Sequence, residues 1–354
     1  MAVNHNHLVI MAGGVGSRFW PMSTTQKPKQ FVDVMGCGRT FIQLTFDRFK
    51  GVVPPQNVWV VTNVNYEEMV KQQLPEIPDN NILLEPCRRN TAPCIAYVAW
   101  RIKATDKKAN LIVTPSDHFV VNEQLFRDVI KDALKFTAES DAIVTLGIKP
   151  TRPETGYGYI LADMTSASLK NNNVYRVDSF KEKPDLNTAK KYIQQDDFFW
   201  NSGIFIWNVN TIVNALRIYA PEINGVFEPL LDIYGTQKEQ EIINKEFPKC
   251  PNISIDYAIL EKANEIFVFP ADFGWSDVGT WGSLMAMLNS DENGNSVIGN
   301  NVSLFDTNNC IVHTLEEKKV VIQGLDGCIV AENDNTLLIC KLQEEQRIKQ
   351  FTGE

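Results

Sequence analysis

The segment Ala12-Gly-Gly-Val-Gly-Ser-Arg18 sets three glycines and an arginine directly after a short apolar run, Leu8–Met11. Glycines let the backbone pass close to a phosphate and adopt φ values that other residues avoid. Arg18, and Lys29 within Lys27-Pro-Lys-Gln-Phe31, would supply cations to phosphate oxygens, while Lys27 reads as solvated. The loop is not a dinucleotide fingerprint, because Phe19 stands where the third glycine belongs, and the Gly-Lys-Ser/Thr of a P-loop does not occur. Two acids fall in comparable places. Asp117 follows the apolar run Leu111–Thr114, and Asp277 lies in the Gly/Trp-rich turn after Phe267–Pro270. Mg²⁺ takes one or two carboxylates together with substrate phosphates and waters. A lone loop Asp is more often a turn or capping residue, so residue type alone leaves both readings open.

Positioning these groups needs a frame. Leu8–Met11, Val58–Thr62, Ile82–Leu84, Leu111–Thr114 and Ala142–Leu146 read as buried strands. Helical patterns lie between them at Glu67–Leu74, Ala92–Lys103 and Leu125–Glu139. That alternation predicts an α/β, doubly wound arrangement over residues 1 to about 150. Ligands of such sheets bind beyond the carboxyl ends of the strands, which selects the loops after Met11, Leu84 and Thr114. From 151 to 290 the pattern is mixed. Tyr157–Leu161, Val174–Phe180 and Ile204–Trp207 read as strands, and Thr211–Tyr219 and Ser283–Leu288 as helices.

The polar stretch Ser290–Asn295 predicts a boundary, giving a catalytic domain over 1–290 and a small β domain over 291–354. After it, Val302–Phe305, Cys310–Val312, Val320–Ile322, Cys328–Val330 and Leu337–Cys340 recur about eight to ten residues apart. The spacing fits a β-solenoid or a β-sandwich, and the expectation adopted is a left-handed β-helix-like unit. Its exposed ends predict a homodimer.

Ala12-Gly-Gly-x-Gly-x-Arg18 with Pro28-Lys-Gln-Phe31 resembles the sugar-nucleotidyltransferases. The likeness continues through Glu85-Pro-x-x-x-Asn-Thr-Ala-Pro93, Pro115-Ser-Asp-His118, Glu154-Thr-Gly-Tyr-Gly-Tyr159 and Phe180-Lys-Glu-Lys-Pro184. It then runs through Trp200-Asn-Ser-Gly-Ile-Phe205, Ser254-Ile-Asp-Tyr257 and Gly274-Trp-Ser-Asp-Val-Gly279. Uridylyl and thymidylyl relatives usually lack Pro-Lys-Gln-Phe and Asn-Thr-Ala-Pro, so the resemblance is to the guanylyl-transferring branch. It implies a Rossmann-like domain with a mixed, mainly parallel sheet. It also implies Mg²⁺-dependent transfer of GMP from GTP to mannose 1-phosphate, giving GDP-mannose and pyrophosphate. The alternatives are another sugar 1-phosphate as acceptor, or a non-catalytic nucleotide-sugar sensor of the same fold.

The nucleophile implied is a phosphate oxygen, already ionised at neutral pH, so positioning and electrostatics carry the step without a general base. By resemblance, Arg18 and Lys29 are the catalytic cations, and Asp117 and Asp277 hold the metal. Ala12, Gly13, Gly14, Gly16, Glu85, Asn90, Thr91 and Asp117 are assigned to the nucleotide. Glu85 is a candidate to accept from guanine, or to pair with Arg88 or Arg89. Asn90 and Thr91 serve equally as helix caps. Gly156, Gly158, Glu182, Lys183, Asn201 and Asp256 are assigned to the sugar phosphate. One departure is Thr24 after Ser23, where many relatives carry Arg. No His-rich cupin pattern occurs, so the expectation is a form without an isomerase domain.

Composition narrows the partners. The 354 residues are 44% hydrophobic and 22% charged, which excludes a largely disordered chain. With 34 Lys plus Arg against 43 Asp plus Glu, the net charge is −9, which argues against a general nucleic-acid binder. The seven cysteines form no Cys-x-x-Cys pair, and the start Met1–His7 has neither a basic nor a long apolar region. No run approaches a spanning helix. The expectation is a cytoplasmic protein without membrane partners.

Overall fold

The structure is a computed structural model that describes residues 4–165, 173–314 and 318–352. Residues 1–3 of the start read above lie outside these. The chain divides into two compact units, each discontinuous in sequence. The first comprises Met1–Gly13, Arg48–Pro115 and Val120–Trp275, and the second Gly14–Asp47, Ser116–Phe119 and Ser276–Glu354.

The strands in chain order begin β1 (Asn6–Ala12), β2 (Val58–Asn63), β3 (Ile82–Glu85), β4 (Asn110–Pro115) and the two-residue β5 (Phe119–Val120). They continue β6 (Ile143–Ile148), β7 (Tyr159–Asp163), β8 (Tyr175–Lys181), β9 (Phe198–Asn208), β10 (Ile266–Ala271) and the two-residue β11 (Trp275–Ser276). The first unit is built on a nine-stranded sheet in the order β3-β2-β1-β4-β9-β6-β10-β8-β7. β3, β2, β1 and β4 are parallel neighbours. β9 runs antiparallel to both β4 and β6, and β8 antiparallel to β10 and β7. The sheet is mixed, as expected: β6 and β10 are parallel neighbours as well, and only β8 and β9 run against the other seven strands. β9 is an eleven-residue strand of which the sequence reading saw only Ile204–Trp207.

The helix Thr91–Thr105 is buried at every position from Ala92 to Ile102 and shares the main core with Trp207, Leu216 and Phe227. A helix buried nearly all round belongs inside a protein, and this one packs against β1, β2 and the helices Val209–Tyr219 and Pro221–Phe227. The helix Glu123–Ala138 shows the other pattern, with Phe126, Ile130, Ala133, Leu134 and Thr137 buried on one face. The register of β6 against β9 shifts between Thr145 and Gly147. A Cβ on Gly147 would lie 2.5 Å from Val268 Cγ2 and 2.9 Å from Phe199 Cβ, so the irregularity requires glycine.

In the second unit, β12 (Ser296–Ile298), β14 (Ile311–His313) and β16 (Cys328–Asn333) form a parallel ladder, as do β13 (Val302–Phe305) and β15 (Val320–Gln323). β16 turns through Asp334, at φ 51°, into the antiparallel β17 (Thr336–Lys341). One apolar cluster joins Ile311, Ile329, Ala331 and Leu338 of these strands to Phe19, Val34, Phe41, Val278 and Trp281. That shared core is why packing groups 276–354 with Gly14–Asp47 instead of dividing at 290/291.

Candidate active site

Two side-chain clusters gather most of the residues singled out by the sequence, one inside each unit. In the second unit the glycine loop is tied from three sides. Gln30 Nε2 donates to the Gly14 carbonyl at 2.9 Å, Ser23 Oγ to the Gly16 carbonyl at 2.5 Å, and the Lys29 amide to the Val15 carbonyl at 3.2 Å. Gly16 sits at φ 65°, and a Cβ there would collide with Lys29 Cβ. Arg18, in the short helix Ser17–Phe19, is exposed and makes no ion pair among the described residues. It is available to an anion.

Lys29 is not available in the same way. It is 2% exposed. Its Nζ donates to the Asp277 carbonyl at 2.8 Å, the Asp117 carbonyl at 3.0 Å and Asp117 Oδ2 at 3.1 Å. The Phe41 and Phe19 rings lie 4.8 and 5.5 Å from the ammonium. Burial alone would raise the Asp117 carboxyl, but the nearby charges of Lys29 and His118 outweigh it and hold the group below the ordinary carboxylate range. About a third of the Asp117 side chain is exposed (32%). Asp277 Oδ1 accepts from the Gly279 amide at 2.9 Å, and Val278 beside it is at φ 43°. Two carboxylates in loops tied to one ammonium, one of them kept ionised, form a donor set that fits an oxygen-preferring divalent cation completed by phosphates and waters.

In the first unit, Ala12 ends β1 and its carbonyl accepts from Thr62 Oγ1 at 2.9 Å. A Cβ on Gly13 would lie 3.4 Å from Glu85 Oε2. Glu85 ends β3, is 6% exposed, and leaves Oε1 buried with no hydrogen-bond partner among the described residues. Burial pushes its pKa up to about 7, against smaller opposing effects of Cys94 and Arg88. Asn90 takes the capping role: at φ 65° its Oδ1 accepts from the Thr91 amide at 2.9 Å. Thr91 Oγ1 accepts from the Ile255 amide at 2.9 Å.

The other residues assigned to the sugar converge in the same unit. Asn201 donates from its amide to the Gly158 carbonyl at 2.8 Å and from Nδ2 to Asp256 Oδ1 at 3.1 Å. Its Oδ1 accepts from Thr145 Oγ1 at 3.0 Å. Glu182 Oε2 occupies the space beside Gly158, where a Cβ would approach to 2.5 Å. Lys183, at φ 47°, pairs with Glu182 Oε1 at 2.5 Å. Burial, then the Glu182 charge, raises Asp256 to about 6. Gly156 is exposed and donates to Glu154 Oε1 at 3.1 Å. Sequence reasoning gave no role to Gln30, Ser23 or Thr145. The first two lie inside motifs it quoted, whereas Thr145 is one hydroxyl in an apolar strand and carries no signal.

The family model described as "Nucleotidyl transferase" matches residues 7–294. A mannose-1-phosphate guanylyltransferase of Salmonella montevideo is 37% identical over 97% of this chain and 72% of the relative. One of Escherichia coli is 36% identical over 96% of this chain and 74% of its own length. A crystal structure from Thermus thermophilus, described as a mannose-1-phosphate geranyltransferase, superimposes with a TM-score of 0.87 at 30% identity, covering 99% of each chain. The chain therefore belongs to the nucleotidyl transferase family, grouped there with the mannose-1-phosphate guanylyltransferases.

Proposed function

We propose that this chain transfers GMP from GTP to mannose 1-phosphate in a Mg²⁺-dependent reaction that releases GDP-mannose and pyrophosphate. The relatives' shared activity supports the reaction class. The observation that carries the choice of base is Glu85, a buried carboxylate beside Gly13 whose Oε1 has no hydrogen-bond partner among the described residues. Guanine presents N1–H and N2–H donors to such an acceptor, and adenine does not. An oxygen of mannose 1-phosphate attacks the α-phosphorus of GTP. A new P–O bond forms there while the bond to the α,β-bridging oxygen breaks, and pyrophosphate leaves with that electron pair. Arg18 faces the phosphates. Asp117 and Asp277 would hold Mg²⁺, which when bound neutralises phosphate charge. Glu182, Asn201 and Asp256 accept from or donate to sugar hydroxyls, and Lys183 meets the sugar phosphate.

The parallel ladders of β12–β16 support reading the C-terminal strands as a short left-handed β-helix. Phe305, Val321, Leu337 and Ile339 are each more than half exposed there, which supports a homodimer. Seven free cysteines support a reducing, cytoplasmic setting. Among the described residues no helix is long and apolar enough to cross a membrane.

The test is pyrophosphate release from each of four nucleoside triphosphates, paired with mannose, glucose and heptose 1-phosphates, with and without Mg²⁺. GTP with mannose 1-phosphate and metal is expected to give the highest kcat/KM. No turnover of GTP with any sugar phosphate would overturn the reading, and faster use of UTP or ATP would overturn the role of Glu85. Light scattering at micromolar concentration checks the dimer, and a monomeric mass would count against it.

A further inference from the structure

Cys94 follows directly on Asn90-Thr-Ala-Pro93, and the reaction proposed above gives it no part. It is 6% exposed and is the fourth residue of the helix Thr91–Thr105. Helix side chains tilt towards the N-terminus, so one near the start aims back at the segment that precedes the helix. β3 ends in that direction, and the Cys94 thiol hydrogen-bonds to the Glu85 carboxylate at its end. Oε1 has no partner among the described residues, which leaves the bond to Oε2, the oxygen beside Gly13.

The other groups around Glu85 are engaged elsewhere. Asn63 Nδ2 donates to the Glu85 carbonyl at 3.2 Å, and Gln240 Nε2 to the Leu84 carbonyl at 3.1 Å. Arg88 acts on the carboxylate by charge, while its Nη2 donates to the Tyr66 hydroxyl at 3.2 Å. Arg89 Nη2 donates to the Pro248 carbonyl at 2.6 Å. In the helix Glu67–Gln73, Lys71 pairs with Glu67 at 2.7 Å. Burial, then the Glu85 charge, holds the Cys94 thiol well above its ordinary value, so it stays protonated and acts as a donor.

We propose that Cys94 is a positioning residue for base selection, whose S–H holds one oxygen of Glu85 and favours the ionised carboxylate that offers acceptors to both guanine N1–H and N2–H. The inference rests on the reading of Glu85 as the guanine acceptor. A protonated Glu85 keeps one oxygen as acceptor and turns the other into a donor, which opposes one of the two guanine N–H groups. Hypoxanthine has N1–H but no N2 amine, so a single acceptor serves it. GTP is therefore preferred over ITP while Glu85 is ionised, and the preference fades as the pH falls and Glu85 takes up a proton. Burial has pushed this carboxyl up to about 7, so the change falls near neutral pH. The thiol bond pulls it down, so without that bond the change moves to higher pH.

The ratio of the Kd for ITP to the Kd for GTP, measured by calorimetry between about pH 5.5 and 8.5, reads this directly. The two triphosphate chains titrate alike and cancel in the ratio. Wild type should prefer GTP about tenfold at the alkaline end, on the scale of one polar contact, and only about twofold at the acid end. In Cys94→Ala the midpoint should rise by about half a pH unit or more, with the alkaline ratio retained. Cys94→Ser keeps an O–H donor and should hold the midpoint at or below that of wild type. A cysteine that served packing alone would weaken both nucleotides together and leave the midpoint in place.

Superimposable profiles for wild type and Cys94→Ala, or a rise in midpoint that Cys94→Ser reproduces, would overturn the proposal. Glu85→Gln separates its failure from that of the underlying reading, because Gln does not titrate. That variant should flatten the profile. If it kept both the wild-type ratio and the wild-type midpoint, the base assignment would fail and the role of Cys94 with it. A flat profile in Glu85→Gln beside an unshifted one in Cys94→Ala would remove the role of Cys94 alone.

Discussion

The two polar clusters handle their carboxylates in opposite ways. In the second unit, Asp117 has a cation bonded to it and is held ionised. In the first, Asp256 faces the like charge of Glu182, and burial with that repulsion raises it to about 6. Lys183 meets Glu182 and is itself 60% exposed, so it screens the pair only partly. A carboxylate kept charged suits a metal ion. One poised between its two protonation states both donates and accepts, which suits sugar hydroxyls. The difference arises from where the cation is buried, because the number of acids is similar in both clusters.

The sharpest way to break the comparison is to remove charge where it is held. Asp117→Asn and Asp277→Asn should each lower kcat by roughly 10²–10⁴, in keeping with loss of charge stabilisation at transferring phosphates. Asn at 277 keeps an acceptor for the Gly279 amide, so its circular dichroism and melting temperature should match wild type. Near-normal turnover in both variants would remove the metal role from this cluster. Arg18→Met, at an exposed position, should cost about 10² in kcat/KM without loss of stability, measured by steady-state kinetics beside a thermal melt.

Much of this was legible in the sequence, for reasons that differ by element. β1, β2, β3, β4 and β6 are near-continuous apolar runs, because parallel strands covered on both faces have no polar side to show. The helix Thr91–Thr105 was expected within two residues at each end. β9 was not seen in full, since Asn201, Ser202 and Gly203 interrupt its apolar pattern, and Asn201 bonds Thr145 and Asp256. The helices over Pro221–Phe227 and Glu239–Glu246 were also missed, being short and carrying few buried residues each. Motif reading found nearly every residue of both clusters. It did not show which oxygens surround the Lys29 ammonium, because a motif records only residue type and spacing.

Smaller effects should follow in the first unit, where positioning and not charge is at stake. Gly158→Ala would drive a methyl to 2.5 Å from Glu182 Oε2 and displace that carboxylate. The KM for mannose 1-phosphate should rise about tenfold while that for GTP changes little, a loss on the scale of one polar contact (about 1.4 kcal/mol). Glu182→Gln should give the same split. Equal changes in both KM values would mean that this cluster is not dedicated to the sugar.

The smallest expected effect is a difference in sign. Asp256 has a folded pKa of about 6 against an ordinary 3.8, so its ionisation opposes folding. Stability tied to it is fully present below about pH 3.8 and is lost as pH rises through about 6. Asp256→Asn keeps an Oδ1 acceptor for Asn201 and removes that loss. The variant should therefore melt close to wild type at pH 4.5 and a few degrees above it at pH 7.5, a gain on the order of 1–3 kcal/mol. Asp117 runs the other way, because its folded pKa is depressed. Its contribution is present above about 3.8 and is lost only as pH falls through the lower folded value, so Asp117→Asn should show no comparable change between pH 4.5 and 7.5. If the two variants shared one pH profile, the contrast between a carboxylate held charged and one held near neutrality would fail.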